Sequence, residues 1–212
     1  MKRAFLAAVL AAAIAVGVAA ASGPSLTNPP SLHKTAPAVF SAKFTTTKGP
    51  FVIKVYRKWA PKGADRFYNL VYYHFYDNQP LFRVVPGFVV QWGISMTPPI
   101  AKAWKYATIQ DDPNPLNNSQ GRVTFANAGA NTRTTQLFVN MVGNGKSLGS
   151  TFAPFGEVTR GFSVFKHLYH GLQSTGPRGA NANQAAMTKY GAWWVKKYYP
   201  KLDWIKTARI AH

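Results

Sequence analysis

The chain has 212 residues, with 25 Lys and Arg against six Asp and Glu, a formal charge of +19 at pH 7. It holds no cysteine, which excludes disulfides, cysteine nucleophiles and thiolate metal sites. Its five histidines never reach a metal-ligand spacing such as H-E-x-x-H. The length suits one domain with its own core, and the charge suits anionic partners while saying nothing about chemistry.

Lys2 and Arg3 precede an apolar run from Ala4 to Val18, and Ala19-Ala20-Ala21 offers a small-residue cleavage site. Residues 1–21 therefore read as a signal peptide, with an uncleaved anchor as the alternative. Export places the mature protein in a periplasmic or extracellular compartment, where wall or membrane polyanions are nearer than nucleic acid. Residues 22–37, rich in Pro, Ser and Thr, read as a flexible linker.

From residue 38 the composition changes. Val39–Thr45 and Phe51–Tyr56 read as strands joined through Thr47-Lys48-Gly49-Pro50. Pro61 opens a helix whose Ala64, Phe67, Leu70, Val71 and His74 recur at three- and four-residue spacing. Two short strands follow around Pro86-Gly87. Residues 94–120, with many Pro, Asn and Asp, read as a long surface loop, and Asp111-Asp112 as a solvated turn. Strands resume at 123–126, 136–141 and 155–158, and Phe162, Phe165 and Leu168 mark a second short helix stopped by Gly171. Hairpin, helix, strands and helix imply a mainly β fold, an antiparallel sheet closed into a barrel with helices over its ends. Residues 173–212 form a basic, aromatic extension, with a helix over 184–199 ended by Pro200. Its aromatics either dock on the barrel or lie at a membrane interface, and the gain from packing an apolar face favours docking.

Two segments carry the chemistry. Residues 81–93 set Arg83 and Gln91 among strand-forming apolar residues; residues 121–138 do the same with Asn127 and Gln136. A guanidinium in an apolar run is costly unless something uses it.

The run Arg83-Val84-Val85-Pro86-Gly87-Phe88 with Gln91, then Phe125-Ala126-Asn127-Ala128-Gly129 with Gln136 and Phe138, resembles the two signatures of cyclophilins, the peptidyl-prolyl cis-trans isomerases. The likeness spans residues 38–172, and Phe152-Ala153-Pro154-Phe155 is similar to a bacterial branch. It implies a closed eight-stranded barrel capped by two helices, and prolyl isomerisation without a cofactor; with the leader, the clients are exported polypeptides whose folding is assisted, and a monomer is expected. It further implies Arg83, Phe88 and Gln91 as catalytic residues. Val89, Ala126, Asn127, Ala128, Gln136, Phe138, Leu148 and Phe152 would bind the proline-containing peptide.

The chain departs from the pattern at four places. Phe82 stands where a histidine is usual, Trp92 where a glycine is, Ser147 at the pocket-rim tryptophan, and Phe152 at a second histidine. The alternative to an enzyme is a catalytically weakened module that binds peptides, or an anionic membrane surface or polyanion through its basic extension.

Overall fold

The computed structural model describes residues 23–113, 116–149 and 151–211. The expected leader therefore lies outside the described residues, as does its cleavage site. In chain order the elements are β1 (Val39–Thr46), β2 (Gly49–Tyr56), α1 (Pro61–Tyr72), β3 (Gln79–Pro80), β4 (Arg83–Val85), β5 (Val89–Trp92), α2 (Pro98–Trp104), β6 (Arg122–Phe125), β7 (Leu137–Asn140), α3 (Gly145–Leu148), β8 (Pro154–Arg160), α4 (Leu172–Thr175), α5 (Gln184–Tyr190), α6 (Ala192–Tyr198) and β9 (Trp204–Ala211).

All nine strands join one antiparallel sheet in the order β3-β9-β1-β2-β8-β6-β7-β5-β4. Its edge strands, β3 and β4, are consecutive in the chain and separated only by Leu81 and Phe82. Three residue steps span at most roughly 11 Å, so the sheet must curl until its edges nearly meet. The result is a curled sheet of nine strands in open order, not the closed eight-stranded barrel expected.

Side-chain alternation sorts the strands' residues. Val84, Val90, Trp92, Val123, Phe125, Leu137 and Val139 enter the core, beside Phe44, Phe51 and Phe67. Helix α1 lays Ala64, Phe67, Leu70 and Val71 on that core, as their spacing predicts. His74, expected on the same face, lies beyond the helix end, exposed and with φ 63°. A 3-10 turn over Phe162–His167 replaces the second helix and buries Phe165.

Four expectations change. Residues 25–36 are docked rather than loose: Leu32 and Ala36 are buried, and Asp65 and Asn69 of α1 accept the Ala36 and Lys34 N–H groups. The segment 94–120 contains α2, opened by Pro98-Pro99. Proline reads as a breaker, yet at a first helical turn its missing N–H costs nothing. Asp112 is no solvated turn. It is buried, accepts the Lys62 and Gly63 N–H groups at the start of α1, and pairs with Arg133 at 3.0 Å. Finally, β9 pairs with β1 over Ser41–Thr46, so the last strand of the sheet comes from the supposed extension.

The rest of that extension docks beside the barrel. The helix expected over 184–199 is two, α5 and α6, broken at Gly191. Phe82, Ile94, Met96, Met187, Val195, Tyr199 and Leu202 form a second buried cluster beneath them. Among the described residues no helix is long and apolar enough to cross a membrane.

Candidate active site

The register of four strands assembles the site. Arg83 on β4 lies opposite Gln91 on β5, Gln91 opposite Phe138 on β7, and Phe138 opposite Thr124 on β6. Because neighbouring side chains alternate between faces, the same pleat that sends Val84, Val90, Trp92 and Leu137 inward turns this row outward. Directly opposed residues sit with Cβ atoms about 4.5–5.5 Å apart. Arg83 and Gln91 thus share one row with Phe138 and Thr124 on the face of the sheet opposite that core; Gln91, Phe138 and Thr124 are covered there, and Arg83 is partly exposed.

Hydrogen bonds fix their orientation. Arg83 Nη1 donates to Gln91 Oε1 at 3.0 Å, Gln91 Nε2 to Gln136 Oε1 at 2.8 Å, and Gln136 Nε2 to Gln184 Oε1 at 3.0 Å. Each amide accepts from one neighbour and donates to the next, so the Gln91 oxygen is held towards the guanidinium. Arg83 is half buried, and burial lowers its pKa from the ordinary arginine value. No carboxylate pairs with it among the described residues. Its Cζ lies 5.7 Å from the Phe88 ring centre, within cation–π reach.

Phe138, buried on the same row, meets the Phe152 ring edge-on at 5.6 Å. Val89, one pleat repeat from Gln91, shares its face. Leu148 ends α3, which is anchored through Asn144: that side chain donates to the Phe88 carbonyl at 2.8 Å and to Asn140 Oδ1 at 2.9 Å. Buried asparagines 118, 140 and 144 therefore tie the Phe88 turn, β7 and α3 together.

On the other side of Gln91 lies a recess of about 270 Å³ lined by Ala126, Asn127, Ala128, Thr132, Thr134 and Gln136. Thr132 Oγ1 accepts the Ala128 N–H, and the Asn127 side chain donates to the Thr151 carbonyl. No backbone hydrogen bond engages Asn127 among the described residues. Gly93, with φ 115°, is required here: a Cβ would stand 2.4 Å from the Thr135 carbonyl oxygen and 2.6 Å from the Gln136 Cα.

The structure brings Arg83, Phe88, Gln91 and Gln136 together, sets Phe138 against Phe152, and lines the recess with Ala126, Asn127 and Ala128; Leu148 is tied to the Phe88 turn only through Asn144. Gln184, which no local sequence pattern marks, arrives from α5, 48 residues after Gln136. Only Phe82 hinted at it, because a large apolar residue beside the site arginine needs cover. The structure supplies that cover from the C-terminal helices. Ser174 of α4 adds to it, its hydroxyl accepting the Val84 N–H and donating to the Phe82 carbonyl. Trp92, at the expected glycine, fills the core against Phe44 and Phe51.

Comparison with known proteins points to one family. The family model described as "Cyclophilin type peptidyl-prolyl cis-trans isomerase/CLD" matches residues 41–189. The chain is 29% identical over 151 residues to peptidyl-prolyl cis-trans isomerase-like 1 of Gibberella zeae, covering 68% of this chain and 89% of the relative. It is 33% identical over 129 residues to peptidyl-prolyl cis-trans isomerase B of Escherichia coli, covering 57% and 79%. The fold resembles a cyclophilin-type isomerase of Cryptosporidium parvum, with a TM-score of 0.62 at 16% identity over 82% of this chain and 98% of that one. A second crystal structure of that protein, in the presence of the dipeptide Ala-Pro, gives 0.59 at 17% identity.

Proposed function

The chain belongs to the cyclophilin-type peptidyl-prolyl cis-trans isomerases, and from that premise we propose that it rotates X-Pro bonds in exported polypeptides, with Arg83 as the group that lowers the barrier. The observation that carries this reading is the Arg83–Gln91–Gln136 line beside the Phe88 and Phe138 rings.

The chemistry needs no bond made to protein. Rotation breaks amide resonance against a barrier of roughly 18–20 kcal/mol, and as the bond twists the prolyl nitrogen becomes pyramidal and more basic. Arg83 spends one N–H on Gln91 and keeps others for that nitrogen. It stays cationic at any working pH. A hydrogen bond made only in the twisted state speeds the reaction, about tenfold for each 1.4 kcal/mol. Gln91 sets the guanidinium's angle. Phe88, Val89, Phe138, Leu148 and Phe152 form the apolar cup for the proline ring, and the recess at Ala126, Asn127 and Ala128 receives the neighbouring chain, Asn127 through its free backbone groups. The structural neighbour studied with Ala-Pro supports a prolyl ligand for this fold.

The export half rests on the first 21 residues, and assistance to folding follows from where such an enzyme would meet unfolded clients. The protein acts as a monomer in this reading. A membrane role is favoured by one feature: Trp193, Tyr190 and Tyr198 are exposed on α5 and α6 beside Lys189, Lys196 and Lys197.

Two measurements test it. Catalytic amounts of the protein should accelerate cis-trans relaxation of an X-Pro peptide; no acceleration over buffer refutes the enzyme. Residues 1–21 fused to a reporter should deliver it outside the cytoplasm, and full retention inside refutes export.

A further inference from the structure

The isomerase face continues past Gln136. Gln136 and Gln184 line both the recess beside Gln91 and a larger cleft of about 790 Å³ between α2 and α5. Pro98 and Pro99 give that cleft apolar walls, and three lysines line it: Lys102 of α2, Lys105 just past its end, and Lys189 of α5.

Nothing in the described chain neutralises those lysines. All six carboxylates are engaged elsewhere. Asp65 is held by Arg57, Asp77 by Arg209, and Asp111 and Asp112 by Arg133. Asp203 takes Lys48 and the Thr47 hydroxyl, and Glu157 accepts from Tyr56 while facing Arg122 and Lys54 across the ladder. No acid lines the cleft. Lys105 and Lys189 only lie over the rings of the tyrosines that follow them, Tyr106 and Tyr190.

The three lysines are exposed, and like charges gathered around one concavity raise its positive potential and favour an anionic ligand at low salt. The cleft adjoins the peptide recess, and an extended chain advances roughly 3.3 Å per residue. A polypeptide bound at Gln91 therefore reaches Gln136 and the lysines within a few residues. We propose that this cleft is a specificity subsite for acidic polypeptide segments: a carboxylate a few positions from the target proline sits among Lys102, Lys105 and Lys189. The proposal rests on the isomerase reading above. A lipid surface suits it less, because the exposed aromatics that fit a headgroup layer, Tyr190, Trp193 and Tyr198, do not line the cleft.

The test uses X-Pro peptides that differ only by Glu or Gln at positions two to four residues from the proline, on either side. At about 0.01 M ionic strength, where the Debye length is about 30 Å, kcat/KM for one Glu series should exceed its Gln counterpart about five- to tenfold. The ratio should fall towards one in strong salt, and collapse at low salt in the Lys102→Gln/Lys105→Gln/Lys189→Gln variant. Equal values for Glu and Gln peptides at low salt, or a ratio untouched in the variant, overturn the proposal. It also falls if the three substitutions weaken binding to phosphatidylglycerol vesicles but leave the peptide ratio unchanged. If no peptide is turned over, the isomerase reading fails instead. Fluorescence anisotropy of a labelled Glu peptide then decides: tighter binding to wild type than to the variant supports the cleft, and equal binding refutes it.

Discussion

Arg83 owes its geometry to residues far from it in sequence. Its angle is set by Gln91, whose amide is set by Gln136, whose amide is set by Gln184. Losing the far end frees each amide to flip. Gln184→Ala should therefore lower kcat about two- to tenfold, the worth of one hydrogen bond, with KM little changed. Gln184→Glu keeps an oxygen for the Gln136 amide and should restore turnover, whereas a purely structural role would show as lost melting temperature in both variants. The described face carries no second titrating group at the row, since Phe152 and Phe82 stand where histidines are usual in the family. Burial lowers the Arg83 pKa by disfavouring the cation, so any loss of activity lies on the alkaline side. Turnover should be flat from about pH 6 to 9; a fall on acidification through the histidine range would show that another group acts.

At the scale of elements, what the sequence reveals depends on where the signal is stored. The Arg83 and Gln91 strands announce themselves, because alternation within a few residues places both on one face. Helix α2 is hidden by Pro98-Pro99, and the docked segment 25–36 by its polar composition, since both are stabilised by partners distant in sequence. Leu26 shows the second case: its carbonyl accepts the Trp104 indole N–H at 2.8 Å, a bond no local pattern foretells. The C-terminal helices illustrate the same point. Phe82 looks anomalous in isolation and becomes intelligible once α5 and α6 cover it. Phe82→Ala should cost about 3–5 kcal/mol, as for other fully buried aromatics, read as a lower urea midpoint. Proteolysis within 172–203 should rise with it. An unchanged midpoint would mean that the helices are held by other contacts.

For the molecule as a whole, sheet closure is non-local. Strand β9 lies between β1 and β3 and contributes Ile205 and Ala208 to the core. A chain stopped before Trp204 should leave the β1 edge bare and lose cooperative unfolding, followed by circular dichroism on heating; a sharp transition at the wild-type temperature would contradict the topology. The family likeness was legible in two short signatures, because they hold the residues that face one cleft. The sheet's last strand was not, because its partners β1 and β3 lie roughly 160 and 125 positions earlier and the intervening helices obscure the spacing. If Arg83 stabilises the twisted imide, kcat/KM for X-Pro relaxation separates wild type from Arg83→Ala and Arg83→Lys. Alanine should lose on the order of 10²–10³-fold, typical of removing one transition-state donor. Lysine should recover only part of it, because it lacks the planar fork that reaches both Gln91 and the nitrogen, with melting temperatures unchanged. Wild-type turnover by folded Arg83→Ala protein would contradict the account.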